Sequence, residues 1–270
     1  MKIAVYIGIG RTVDGLDARV EKLLADFRDA GAEVCVIDEN VDLTGCDFLL
    51  SVGGDGTFLT ASALSVQSGV PVVGVNLGRV GFLSENRPEV IADALLSGDY
   101  VVEERSVLEV SLPGDNDFWP YAFNEFTVHR SGAAMLGVDV DIDGVNLPTY
   151  WADGLILSTS SGSTAYSLSA GGPIVLPDAR VLTLTPIAPH NLNIRPLVVP
   201  DGVTIRFRVH SRDSKVVFTA DNRSLEISDG TEVEMRVAQF SLKRVRLNCS
   251  DFINALTEKL FWGEDVRNIK

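Results

Sequence analysis

Phe48-Leu49-Leu50-Ser51-Val52-Gly53-Gly54-Asp55-Gly56-Thr57-Phe58-Leu59 decides how the rest of the chain is read. An apolar run stops at two glycines. An acid, a third glycine and a threonine follow, and apolar residues then recur at helical spacing through Phe58, Leu59, Ala61, Ala63 and Leu64. This pattern predicts a buried strand, a tight loop and a helix. Glycines let backbone N–H groups turn toward an anion, and a helix N-terminus adds the positive end of its dipole. The loop therefore suits phosphate, with Gly53, Gly54, Gly56 and Thr57 as the phosphate-binding candidates. Asp55 does not belong to a phosphate cradle, because a carboxylate repels phosphate. It makes sense as a group that holds Mg²⁺ or takes a proton from an attacking hydroxyl. The alternative is a β–α turn in which Asp55 is the helix N-cap.

Around this loop, the first part of the chain alternates strand and helix. Strands are predicted at 3–7, 33–38, 48–52 and 70–75, and helices at 18–30 and from Pro88 through Leu96. Gly31 is expected to end the first helix. Gly8-Ile9-Gly10 resembles the start of a dinucleotide fingerprint, but Val13 stands where a third glycine belongs, so a turn is expected there. Interleaved strands and helices imply a mostly parallel sheet with ligands at the carboxyl ends of its strands. The loops at Gly53 and Gly78 both lie at such ends.

After Gly98 the pattern changes to short strands, predicted at 107–112, 123–130, 137–142, 155–159, 181–187, 203–210, 215–220, 232–238 and 240–247. Ile205, Phe207 and Val209 alternate with Arg206, Arg208 and His210, as in a strand with one buried face. The expected organisation is an α/β N-terminal domain over 1–98 and an all-β C-terminal domain over 99–250. A tail over 251–270, with a helical apolar period from Phe252 to Trp262, is expected to pack back on the first domain.

The 270 residues suffice to bury a substantial core, and the 46% hydrophobic and 22% charged shares are those of a soluble globular protein. No apolar run approaches the ~20 residues of a membrane span. Met1 to Ile7 reads as a strand rather than a signal peptide, so a cytoplasmic location is expected. A formal charge of −14 argues against a nucleic-acid surface and against attraction to anionic membranes. A polyanionic substrate must then be met by local donors or a metal rather than by a global field. Cys35, Cys46 and Cys249 have no metal-type spacing and are expected to be reduced, buried thiols.

A second dense stretch runs from Asp153 to Pro173 and is rich in small hydroxylated residues, with Tyr166 among them. Small residues allow close backbone approach, hydroxyls and N–H groups can read a polar ligand, and Tyr166 offers a flat face. A ligand cradle and a plain serine-rich loop both fit. Asn124-Glu125 interrupts a strand between Phe123 and Phe126. A carboxylate beside an amide is suited to a sugar's vicinal hydroxyls, although one of the two facing solvent would also fit. Asp221-Asn222-Arg223 reads as a hairpin turn. No zinc-type grouping, no Gly-x-Ser-x-Gly elbow and no P-loop lysine occurs.

Taken together, the motifs resemble those of the NAD kinases. The resemblance rests on Gly53-Gly54-Asp55-Gly56-Thr57, then Asn124-Glu125, then Asp153-Gly154-Leu155 continuing through Gly162-Ser163-Thr164-Ala165-Tyr166-Ser167-Leu168-Ser169-Ala170-Gly171-Gly172-Pro173. Asn76-x-Gly78-x-x-Gly81-Phe82-Leu83 and Pro186-x-Ala188-Pro189-His190 add to it. The first motif alone is shared with lipid kinases and phosphofructokinases, whereas the third is far more specific. The resemblance implies a Rossmann-like, phosphofructokinase-like N-terminal domain. It also implies transfer of a terminal phosphoryl group, from ATP or polyphosphate with Mg²⁺, to the 2′-hydroxyl of the adenosine ribose of NAD.

By the same resemblance, Asp55 is the catalytic residue and Asn124 and Glu125 hold the ribose hydroxyls. Thr164, Ala165, Tyr166 and Ser169, with Phe82 nearby, surround the adenosine, and Asp55, Gly56, Ser161, Ser167, Leu168 and Asn222 are further substrate contacts. Asp153 and Ala188 contact the nicotinamide half, partly across a subunit boundary, so a homodimer or homotetramer is expected. Mg²⁺ is expected with the nucleotide rather than on fixed protein ligands. The sequence departs from the family pattern at Thr60, where many members carry a basic residue, at Trp151, where many carry Arg, and at Asn222. A lipid kinase and a non-catalytic NAD-binding module are the alternatives, and an intact Asp55 speaks against the second.

Overall fold

Asp17 caps the first helix by accepting the Arg19 N–H at 3.0 Å, and the helix then buries Val20, Leu23, Leu24 and Phe27 as one stripe. This is the local logic of the first part of the chain. The computed structural model describes residues 1–8, 17–38, 41–78, 81–114, 117–213, 215–249 and 251–262. Ile9, Gly10 and Val13 of the glycine turn, and Arg79 and Val80 of the Gly78 loop, lie outside the described residues.

In order, the elements are β1 (Lys2–Ile7), α1 (Ala18–Asp29), β2 (Glu33–Ile37), β3 (Phe48–Val52), α2 (Asp55–Ser68), β4 (Val72–Val75), α3 (Pro88–Ser97), β5 (Tyr100–Ser111), β6 (Tyr121–Ala122), β7 (Glu125–Arg130), β8 (Leu136–Ile142) and β9 (Val145–Asn146). They continue with β10 (Tyr150–Ala152), β11 (Gly154–Thr159), a 3-10 turn (Ser161–Thr164), α4 (Tyr166–Ser169), β12 (Val181–Ile187), β13 (Leu197–Pro200), β14 (Ile205–His210), β15 (Lys215–Ala220), β16 (Arg223–Ser228), β17 (Glu232–Leu247) and α5 (Phe252–Leu260). Two compact units result, one of Met1–Glu104 with Leu242–Lys270 and the other of Arg105–Ser241. Both divisions fall inside strands, β5 and β17, where no change of composition marks them.

The first unit is a parallel sheet in the order β2-β1-β3-β4, with the end of β17 joining β4 in parallel at Arg244 and Val72. The chain adds β2 on one side of β1 and β3 on the other, so the strand order reverses there. In open α/β sheets ligands bind outside the carboxyl ends of the strands at such a switch point. β3 ends at Val52, and the Gly53 loop leaves from that edge. The core joins Ile3, Val5, Leu50, Val52, Val73 and Val75 to the buried faces of α1 and α3. Arg244, almost fully buried, pairs with Glu85 at 2.6 Å and with Glu103 at 3.3 Å, which fixes the end of the loop after β4.

The second unit contains a six-stranded antiparallel sheet, β13-β12-β11-β7-β15-β16, and a second antiparallel set, β10-β8-β14 with the start of β17. One apolar cluster draws on both: Phe126, Val128, Leu155, Leu157 and Phe218 from the first, Val138, Val140 and Phe207 from the second.

Two expectations are corrected. Residues 232–247 form one strand, not two, because Gln239 and its neighbours include no glycine, proline or other turn former. The cysteines are free but none is buried: Cys35 lies on the edge strand β2, Cys46 in the turn before β3, and Cys249 is exposed after β17.

Candidate active site

In the first unit, Gly54 is the N-cap of α2 with no side-chain cap, and Asp55 is the first helical residue, so Asp55 does not cap the helix. Its carboxylate instead reaches the loop after β4. It accepts hydrogen bonds from the backbone N–H groups of Phe82 at 2.9 Å, Leu83 at 3.1 Å and Ser84 at 2.9 Å. An ionised carboxylate offers about four acceptor positions, so these three bonds leave one. Gly81 permits the approach, since a Cβ there would stand 1.9 Å from Asp55 Oδ1. Asn76 shapes the same loop, donating to the Ser84 carbonyl at 2.7 Å and accepting the Gly78 N–H at 2.7 Å. Gly53 is needed for a second close approach, because a Cβ there would stand 2.7 Å from Thr57 Cβ. Gly54 and Gly56 are exposed with open space around them, as a phosphate loop requires.

In the second unit, another carboxylate organises the Asn124-Glu125 segment. Asp221 occupies a two-residue hairpin between β15 and β16, at φ 50°. Its oxygens accept the N–H groups of Phe123 at 2.8 Å, Asn124 at 2.8 Å and Glu125 at 3.2 Å. Arg223 completes the corner by donating to the carbonyls of Trp119, at 2.9 Å, and Tyr121. Burial pushes the Asp221 pKa up, against the pull of its three N–H donors and of Arg223. Glu125 is pushed up to about 8, first by burial and then by the neighbouring Asp221, while a backbone hydrogen bond from Tyr166 pulls down. Asn124 Oδ1 and Glu125 Oε2 are both buried and have no hydrogen-bond partner. Buried polar atoms are ordinarily paired, so these two oxygens mark a place where donors are missing.

The serine-rich stretch closes over this segment. Thr159 donates its backbone N–H to the Asn124 carbonyl at 2.9 Å and its hydroxyl to the Phe123 carbonyl at 2.8 Å. Gly162 sits so close that a Cβ would be 2.1 Å from the Asn124 carbonyl oxygen. Ser161, Thr164, Ala165 and Leu168 are half-buried and Ser169 is exposed, whereas Ser167 is buried with its hydroxyl 2.8 Å from that of Thr185. The Tyr166 ring stacks on His129 with centroids 5.6 Å apart and keeps part of its surface exposed.

Asp153 lies at the other end of β11. It makes a bidentate pair with Arg130, at 2.8 and 3.2 Å, and its N–H donates to the Ile187 carbonyl at 3.0 Å, which brings it beside Ala188. Ala188 takes a left-handed φ of 43°, a conformation that costs a non-glycine residue ~1–3 kcal/mol and concentrates at functional sites. The predicted residues of this unit therefore form two groups, one at Asn124, Glu125 and Tyr166 and one at Asp153 and Ala188. Four residue steps along β7, from Glu125 to His129, span the gap in register with β11, about 13 Å at strand rise. Asn222 is exposed at the hairpin tip, and Trp151 covers Gly137, where a Cβ would stand 2.7 Å from the indole. Sequence reasoning missed the holding role of Asp221 and the close approaches of Gly81 and Gly162. An acid at a two-residue hairpin was the available signal for the first.

A glycine-rich acidic loop at a parallel-sheet switch point in one unit, and a pair of buried, unpartnered polar oxygens in the other, fit a kinase acting on a small hydroxylated acceptor. Residues 28–99 match the family model for the ATP-NAD kinase N-terminal domain, and residues 123–247 that for the C-terminal domain. The NAD kinase of Flavobacterium johnsoniae is 40% identical over 229 residues, 82% of this chain and 78% of that one. Among solved structures, yeast NADH kinase complexed with NADH has a TM-score of 0.85 at 25% identity, covering 99% of this chain and 90% of that one. An NAD kinase from Archaeoglobus fulgidus in complex with ATP has a TM-score of 0.78 at 28% identity, covering 97% and 99%. The chain belongs to the NAD kinase family.

Proposed function

We propose that the chain transfers the terminal phosphoryl group of ATP to the 2′-hydroxyl of the adenosine ribose of NAD, making NADP. The observation that carries this reading is the pair of orphaned oxygens, Asn124 Oδ1 and Glu125 Oε2. Vicinal ribose hydroxyls supply the missing donors, and Tyr166 offers its face to the adenine. The two residue groups about 13 Å apart along β7 suit the two halves of one dinucleotide, with Asp153 and Ala188 toward the nicotinamide. Thr164, Ala165 and Ser169 join Tyr166 as the adenosine contacts, Ser161, Leu168, Asn222, Gly56 and Phe82 are further substrate contacts, and Ser167 supports the turn through Thr185.

Asp55 uses its remaining acceptor position to take the 2′-hydroxyl proton, while Gly54, Gly56 and Thr57 present N–H groups and the α2 dipole to the donor phosphates. The Gly53 N–H is taken by the Val75 carbonyl at 2.9 Å, so Gly53 shapes the loop instead of donating to phosphate. No three His, Cys, Asp or Glu side chains converge among the described residues. Mg²⁺ is expected with the nucleotide, on the donor's own phosphates, where such ions are commonly carried. Mg²⁺ supplies neutralisation of phosphate charge. Positioning and electrostatics then account for most of the rate, as in other phosphoryl transfers. The protein acts as a homodimer or homotetramer in the cytoplasm, without nucleic-acid or membrane partners. No helix among the described residues is long and apolar enough to cross a membrane.

The test is NADP formation from NAD and Mg²⁺ with ATP or polyphosphate in separate reactions. NADP with ATP is expected, and its absence with both donors would overturn the reading. Glu125→Ala is expected to weaken NAD binding by the ~1–3 kcal/mol of a lost buried hydrogen-bond set. Unchanged affinity would remove the ribose-holding role.

A further inference from the structure

The loop that donates three N–H groups to Asp55 has a second partner, which the family motifs leave out. Lys259, near the end of α5, donates from Nζ to the Gly81 carbonyl. The same ammonium lies 4.0 Å from the centre of the Phe82 ring, in the range of a cation–π contact. Phe252, at the start of α5, also packs against Phe82, with ring centroids 6.0 Å apart. One helix thus grips both residues at the start of the segment whose next N–H groups hold the Asp55 carboxylate.

We infer that Lys259 is a positioning residue for phosphoryl transfer: it fixes Gly81 and Phe82 so that the Phe82–Ser84 N–H groups aim Asp55 at the acceptor hydroxyl. This inference rests on the catalytic role given to Asp55. It also brings an ammonium to Gly81–Ser84 in a chain of charge −14, where neither that segment nor Gly53–Thr57 carries a basic residue of its own. Lys259 holds its position at a cost in hydration. Burial lowers its pKa to about 8, with Arg244 pushing the same way and Asp55, Glu85 and Glu258 opposing. The ammonium is therefore charged at neutral pH and loses its proton just above it.

The test compares wild type, Lys259→Met, Lys259→Arg and Asp55→Asn in NADP formation across pH 6–10, with thermal melting and amide hydrogen exchange. Lys259→Met is expected to lower kcat at least 10-fold, to leave KM for NAD within 2-fold, and to lose protection at the Phe82–Ser84 amides. Lys259→Arg, which keeps a donor and a charge, is expected to recover most of the rate and to extend activity to higher pH than wild type. A Lys259→Met enzyme with wild-type kcat and protection overturns the inference. So does a loss that Lys259→Arg does not recover, or one matched by a fall in melting temperature in both Lys259 variants. An inactive Asp55→Asn beside a fully active Lys259→Met removes the role of Lys259 alone. An active Asp55→Asn beside an impaired Lys259→Met removes the base and with it this account of how Lys259 acts.

Discussion

In each unit one aspartate gathers three consecutive backbone N–H groups: Asp55 those of Phe82, Leu83 and Ser84, Asp221 those of Phe123, Asn124 and Glu125. Each arrangement also depends on a glycine whose Cβ would collide with it, Gly81 at Asp55 Oδ1 and Gly162 at the Asn124 carbonyl. The two differ in what is held. Around Asp55 the loop holds the acid, and three of the carboxylate's roughly four acceptor positions are filled. Around Asp221 the acid holds the segment, and the segment keeps two buried oxygens, on Asn124 and Glu125, without partners. One device, a carboxylate on a short run of N–H groups, fixes an acid in one unit and a segment in the other; under the proposed function the first aims a reactive group and the second shapes a binding surface.

The largest expected effect separates the two. Asp55→Asn is expected to lower kcat for NADP formation by ~10²–10⁴-fold, the range of a lost general base, with NAD affinity kept. A variant that retains most of its rate would break the contrast at once. Asp221→Ala is expected to reverse the pattern. Three N–H groups lose their acceptor, at ~1–3 kcal/mol for each that stays buried, so urea melts should show at least ~3 kcal/mol of lost stability together with weaker NAD binding. If it instead behaved like Asp55→Asn, with normal stability and no turnover, Asp221 would belong to the chemistry.

The glycines sharpen the comparison further. Overpacking of ~1–3 kcal/mol is expected at each. Gly81→Ala should be read mainly in kcat and Gly162→Ala mainly in NAD affinity. The remaining effect is in pH. Glu125, with a folded-state pKa of about 8, lies above the unfolded value of about 4.3, so the folded protein binds the proton more tightly. Its contribution to stability is complete below about pH 4 and is lost as pH rises through about 8. Relative to Glu125→Gln, which stays neutral, wild type should lose stability over that span in denaturant melts. A constant difference between the two would mean that Glu125 is charged throughout.

Much of the architecture was legible because it is written locally. The strands at 48–52, 181–187 and 215–220 have the predicted bounds, since each is an apolar or alternating run with turn residues on either side. Pro88 opens α3 and Gly98 ends it. The strands β10, β13 and β16 were not legible: β10 and β13 are short, and β13 and β16 expose much of their length, so none carries a clear period. The site divides in the same way. Asp55, Asn124 and Glu125 stand in distinctive runs, but the partners of Asp221 lie nearly a hundred residues back in the chain, and Lys259 sits on an ordinary amphipathic helix. Side chain to backbone bonds over such separations leave no periodic trace in the sequence.

Because the first unit combines residues 1–104 with 242–270, the ribosome delivers β1 to β4 early and the strand that completes their sheet late. At ~5–20 residues per second, the stretch over 105–241 takes roughly 7 to 30 s to emerge. For that interval the outer edge of β4, which Arg244 later covers at Val72, is an unpaired strand, open to wrong partners. The second unit has all its residues before the first does. The α5 helix arrives after both, so the loop opposite Asp55 is the last part of the nascent protein to take its working shape.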